Sequence, residues 1–184
     1  MRVIAGEARG RKLSSLDGEQ TRPTTDRVKE SVFNIVMPYI RSANALDLFA
    51  GSGALGIEAL SRGAAWCTFV EKSREALSII RKNLEDTKLK ERATVTMQDA
   101  LSFLENTEKT YDLIFLDPPY DGGFYEPVLE TIAKRGLLEK DGAVVLEKRA
   151  DASPRIPETL TALKERTYGK ITIMVLGMRK DGIE

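Results

Sequence analysis

Asp47-Leu48-Phe49-Ala50-Gly51-Ser52-Gly53-Ala54-Leu55-Gly56 is the stretch that decides the fold. An apolar run over residues 45–49 leads into it and a helical pattern to about residue 62 leaves it, so it reads as strand, glycine loop and helix. Glycines in such a loop permit positive φ and let a ligand approach the backbone closely. Gly51, Gly53 and Gly56 match G-x-G-x-x-G, and Glu71 follows about 20 residues on, ending the next apolar run. That is the dinucleotide fingerprint with an acid placed for ribose hydroxyls. Average glycine usage yields about 0.06 chance matches in a chain this long, so the string counts through its setting.

Outward from this loop the pattern alternates. Strands over residues 45–49, 67–71, 94–97, 113–116 and 143–147 are separated by helices ending near 62, over about 74–87, near 100–105 and near 124–135. Serial alternation of this kind predicts an α/β fold, a parallel sheet with helices on both faces. Residues 164–168 and 171–178 flank Gly169-Lys170 and predict a C-terminal antiparallel hairpin. Upstream, Asp17-Gly18-Glu19 reads as a turn. Thr25-Asp26 reads as the N-cap region of a helix over residues 26–37, with Val28, Val32, Ile35 and Val36 on one face and Pro38 as its limit. No repeat or linker interrupts the chain. The expectation is one domain over residues 1–184, a basic arm and helix over 1–41 joined to a core over 42–184.

Composition narrows the chemistry. The 184 residues are 42% hydrophobic and 30% charged, the balance of a soluble globular protein. No apolar run approaches the ~20 residues that span a bilayer, and the first residues lack the apolar core of a signal peptide. The single cysteine, Cys67, excludes an intrachain disulfide, so a cytoplasmic setting without membrane is expected. Histidine is absent, which removes Ser-His-Asp and Cys-His catalysis and His-ligated metal sites. Net charge is zero but uneven: residues 1–41 hold eight basic and five acidic side chains. Arg2, Arg9, Arg11 and Lys12 face only Glu7 within the first twelve residues, a pattern that fits either a polyanion contact or a solvated tail.

A second motif lies at Asp117-Pro118-Pro119-Tyr120, directly after the apolar run Tyr111-Asp112-Leu113-Ile114-Phe115-Leu116. Ligands of open α/β sheets bind at the C-terminal ends of strands. Two prolines stiffen the backbone and remove N–H donors, leaving carbonyl acceptors beside a carboxylate and an aromatic ring. Such a loop suits a planar base with an exocyclic NH2; a plain strand-ending turn with a packed tyrosine is the simpler alternative. Two features point away from a dinucleotide. Asp47 at its strand end does little for a pyrophosphate, which a helix N-terminus already serves. Gln98-Asp99-Ala100 puts another acid in the same crevice, a set suited to adenosine and a methionine-like ammonium.

Together these residues resemble the Rossmann-like S-adenosylmethionine methyltransferases. The N-terminal stretches Arg9-Gly10-Arg11-Lys12-Leu13 and Arg22-Pro23-Thr24-Thr25-Asp26-Arg27-Val28-Lys29-Glu30, followed by Phe33-Asn34, resemble the bacterial 16S ribosomal-RNA guanine-N2 methyltransferases of the RsmD type. The likeness runs over nearly the whole chain. It implies a seven-stranded, mostly parallel sheet with one C-terminal antiparallel strand, and methyl transfer to a guanine N2 of 16S rRNA in the small ribosomal subunit or an assembly intermediate. It also implies S-adenosylmethionine held by Asp47, Phe49, Gly51, Gly53, Glu71, Lys72, Asp99 and Ala100, with no metal. Asp117, Pro118 and Tyr120 are the implied catalytic residues, and Arg9, Arg11, Lys12 and Arg22 the implied phosphate contacts. Phe33 and Phe49 fit either the cofactor pocket or the core; Tyr125 and Glu126 fit either the base site or a helix start; Trp66 and Cys67 read as core or near-core. The competing expectations are a DNA or RNA adenine-N6 or cytosine-N4 methyltransferase, an NAD-dependent dehydrogenase, and a non-catalytic ribosome-assembly factor.

Overall fold

The computed structural model describes residues 1–16, 23–119 and 122–180, without the side chains of 23–25. Seven strands form one sheet in the order β3-β2-β1-β4-β5-β7-β6: β1 (Asn44–Leu48), β2 (Trp66–Glu71), β3 (Ala93–Met97), β4 (Tyr111–Leu116), β5 (Leu138–Arg149), β6 (Leu160–Tyr168) and β7 (Ile171–Met178). β1 pairs in parallel with β2 and β4, β2 with β3, and β4 with β5. β7 alone runs against its neighbours, antiparallel to both β5 and β6, as the resemblance implied. Successive strands move outward from β1 to β3 and then restart on the other side at β4. The C-terminal ends of β1 and β4 therefore flank the crevice where such sheets bind ligands.

Among the described residues, five α-helices cover the two faces. α1 (Pro23–Val36), α2 (Ala54–Ser61) and α3 (Arg74–Thr87) share a core with Ala45, Phe69, Phe115 and Val145. α4 (Ala100–Asn106) and α5 (Tyr125–Arg135) pack on Leu46, Val70, Ile114 and Leu146 on the opposite face. The alternation is what strict pleating of doubly covered strands requires.

Element boundaries follow local chemistry. α3 spans the expected residues, opened by Ser73, whose hydroxyl accepts from the Ala76 N–H, and closed by Lys88 in the left-handed region. α1 starts at Pro23, ahead of the expected residue 26, because a proline's fixed φ and missing N–H suit the first helical turn. β5 reaches back to Leu138, although the polar Glu139-Lys140-Asp141 hides this half, because Leu138 pairs with Tyr111 across a register shift. The turn expected at Asp17-Gly18-Glu19 lies outside the described residues.

The N-terminal arm folds back onto the body. Val3, Ala8 and Leu13 are buried, and Val3 and Leu13 donate N–H bonds to the carbonyls of Arg11 and Met1. Gly6 adopts φ +84°, and a Cβ there would meet the Ser61 carbonyl oxygen at 1.8 Å, so glycine is what lets the arm touch α2.

Candidate active site

A cavity of about 690 Å³ opens at the C-terminal ends of β1, β2, β4 and β5, within the size range of small-molecule sites. Its wall brings together most of the residues singled out from sequence: Asp47, Phe49, Gly51, Glu71, Lys72, Asp99, Ala100, Asp117 and Pro118. Gly53 stands behind the wall, at φ +77° as the residue capping α2, with Ile80 and Phe69 against the position of its missing Cβ. Tyr120 and Arg22 lie outside the described residues. Arg9, Arg11 and Lys12 are exposed on the arm, and Arg11 Nη1 donates to the Asp86 carbonyl at 2.8 Å. Trp66 is partly exposed at the start of β2, its indole N–H on Thr94 Oγ1, so of the two residues read as core or near-core only Cys67 is fully buried.

The glycine loop is held from two sides. Glu71 accepts from the Gly51 N–H at 3.0 Å through one oxygen, and from the Lys72 and Ser73 N–H groups through the other. An ionised carboxylate has about four acceptor positions, so capacity remains for ribose hydroxyls. Asp47 is buried, accepts from the Gly56 N–H at 2.9 Å, and has its pKa pushed up to about 7. Burial is the main cause, the Gly56 bond opposes it, and the Glu71 charge adds to it. Gly56 has no room for a side chain, since a Cβ would sit 2.4 Å from Phe69 Cε1. Asp99 opens α4, accepting from the Ser102 N–H at 3.1 Å.

Phe49 resolves its two readings in favour of both. It lines the cavity, packs on the core beneath, and lies 5.1 Å from the Phe124 ring. Its φ of +58° is a sparsely populated conformation for a bulky residue, of the kind that concentrates at functional sites. Phe33 is core: fully buried, 5.6 Å from the Phe115 ring, with the Arg62 guanidinium over its face at 4.9 Å. Tyr125 begins α5; burial, then the charges of Asp117 and Glu147, raise its pKa. Glu126 accepts from the Arg155 N–H at 2.9 Å.

Four polar residues were given no role in the sequence reading. Lys29 of α1 and Glu147 of β5 both line the cavity. Glu58 of α2 is fully buried and accepts from the Ile4 and Ala5 N–H groups and from Arg62 Nε at 2.9, 3.0 and 2.8 Å, with Lys29 Nζ 3.3 Å away. Lys29 also donates to the Arg2 carbonyl, and burial pushes its pKa down against the pull of Glu58. Asn83 ties Ser14 and Ser52 to α3. One signal was available: Glu58 is the only charge in an otherwise apolar helix, and a buried charge must find partners.

The strand order, the crevice and the glycine loop braced by Glu71 define the class of Rossmann-like methyltransferases. The family described as conserved hypothetical protein 95 matches residues 1–177. YlbH of Bacillus subtilis is 42% identical over 97% of this chain and 100% of its own. Ribosomal RNA small subunit methyltransferase D of Haemophilus influenzae is 41% identical over 94% of this chain and 91% of its own. The solved structure of Escherichia coli yhhF superposes with a TM-score of 0.88 and 34% identity over 97% of both chains. The chain belongs to the ribosomal RNA small subunit methyltransferase D family.

Proposed function

We propose that this protein transfers a methyl group from S-adenosylmethionine to the exocyclic N2 of a guanine in 16S rRNA, presented by the small ribosomal subunit or an assembly intermediate. The observation that carries this reading is one continuous cavity. The glycine loop, Glu71 and Asp99 line it together with the Asp117-Pro118 loop. A cofactor and a flipped base would thus meet in one cavity.

The donor set fits the cofactor. Asp47, Glu71 and Asp99 supply carboxylates for an ammonium, a ribose diol and an adenine amine, and Gly51, at φ +54°, lets the ligand lie close to the backbone. When bound, S-adenosylmethionine supplies an electrophilic methyl group on a sulfonium. The protein's remaining task is orientation, because a guanine N2 lone pair is delocalised into its ring. Asp117 and the Pro118 carbonyl accept the two N2–H bonds and draw the nitrogen toward tetrahedral geometry. Asp117 meets the positive charge that develops there, a contribution that grows in a closed site, and it or water takes the proton afterwards. Tyr120 stacks on the base, worth ~1–3 kcal/mol in single-strand recognition. Arg9, Arg11, Lys12 and Arg22 hold phosphates.

The test is labelled methyl transfer to small subunits lacking the modification, with naked rRNA and DNA alongside, followed by nucleoside analysis. N2-methylguanosine in rRNA is the expected product. Label in DNA, or on adenine N6 or cytosine N4, would move the assignment to another nucleic-acid amine.

A further inference from the structure

Glu147 lies near the C-terminal end of β5, one of the two strands that flank β4 and the Asp117 loop, and it lines the cavity. β4 and β5 pair in parallel as far as Leu116 and Leu146, so Asp117, the first residue past β4, and Glu147 follow directly on the last pair of that ladder. Pleating fixes which way Glu147 points. Val145 packs in the core under α1 and Leu146 in the opposite one, which returns Glu147 to the α1 face. Phe115 and Leu116 alternate in the same way ahead of Asp117. Both carboxylates reach the cavity, and both act on the hydroxyl of Tyr125.

The Asp117-Pro118 loop by itself does not choose a base, since two acceptors hold any exocyclic NH2. The choice belongs to the group that faces the ring nitrogen beside that amine. In adenine and cytosine this nitrogen is an unprotonated acceptor, which a carboxylate repels. In guanine it is N1–H, a donor. We infer that Glu147 is a specificity-determining residue: its carboxylate accepts the N1–H of the target guanine while Asp117 and Pro118 hold N2. This rests on the methyl-transfer reading above and adds to it the element that selects guanine. A site built to hydrogen-bond a group discriminates strongly against an analogue lacking it, because its own buried polar atom is then left unmatched.

The test compares RNA carrying guanine with RNA carrying 2-aminopurine at the modified nucleotide. 2-Aminopurine keeps the 2-amino group but has no proton on N1. Wild-type enzyme is expected to favour guanine roughly 10- to 100-fold in kcat/KM, the range of one good base-edge contact. Glu147→Gln, whose amide donates as readily as it accepts, is expected to bring the ratio near one or invert it. Glu147→Ala, scored as folded by an unchanged S-adenosylmethionine titration, should collapse the ratio in the same way. A wild-type enzyme that uses both RNAs equally, or a Glu147→Gln enzyme that keeps the wild-type ratio, would overturn the assignment. The wild-type comparison needs no variant to fold. Small subunits reconstituted on each RNA serve as substrate, and a wild-type enzyme that methylates neither sinks the methyl-transfer reading and this assignment with it, so the two failures are distinguishable.

Discussion

The buried carboxylate of Glu58 and the carboxylates of the cavity behave differently in this fold. Glu58, beneath the arm, is saturated by the protein itself: Lys29, Arg62 and two backbone N–H groups converge on it. Asp47, Glu71 and Asp99, at the strand ends, accept backbone N–H groups and also line the cavity. Charge closed on itself fastens the arm to the body. Charge that is braced by the backbone but turned to a cavity is available to a ligand.

Removing Glu58 should give the largest effect on stability. Glu58→Ala leaves Lys29 and Arg62 buried without their carboxylate and strands two arm N–H groups. Unfolding in denaturant should show a loss of about 3–5 kcal/mol. A loss under about 1 kcal/mol would erase the distinction between Glu58 and the cavity carboxylates. Asp117→Ala should leave unfolding and cofactor affinity nearly unchanged while lowering the rate of methyl transfer by roughly 10²–10³-fold. Full turnover in this variant would remove Asp117 from the mechanism. Glu71→Ala should weaken cofactor binding roughly tenfold or more, the worth of hydrogen bonds to a charged acceptor, as read by calorimetry.

Asp47 sharpens the comparison through pH. Its pKa lies near 7 in the folded protein against an ordinary 3.8, so the folded state holds a proton that the unfolded chain releases. Its contribution to stability is therefore full below about pH 4 and is lost as pH rises through about 7. A cationic ligand favours the carboxylate, so cofactor affinity should rise over the same window. Asp47→Asn should flatten both trends; an unchanged affinity profile would mean that Asp47 only braces the loop through Gly56. The smallest effect is expected at the exposed arm. Reversing Arg9 and Arg11 should raise KM for RNA and reduce its salt dependence, leaving cofactor binding alone.

That the residues on the glycine-loop side would gather at one cavity was legible because they are local. Asp47, Gly51 and Gly53 share a single loop, Glu71 ends the next strand, and the turn chemistry is carried by glycines whose positive φ the structure retains. The helix over 74–87 was legible for the same reason, with its cap and its apolar spacing in one stretch. What stayed hidden is nonlocal. Glu58 matters because residues 54 positions away fold onto it, and Glu147 because sheet pairing sets its strand against the one that leads into Asp117, 30 positions earlier. The packing of the arm was hidden for a related reason. Its arginines and lysine fit either a polyanion contact or a solvated tail, while Val3, Ala8 and Leu13, spaced irregularly in sequence, are buried by a backbone that doubles back.

The most direct test of the central claim is the N2-methylguanosine content of 16S rRNA from cells lacking this protein, complemented with the wild-type chain or with Asp117→Ala. The account predicts that the wild-type chain restores one N2-methylguanosine and that Asp117→Ala, expressed to the same level, does not. Restoration by both would contradict it, and so would a 16S rRNA whose N2-methylguanosine is complete without the protein.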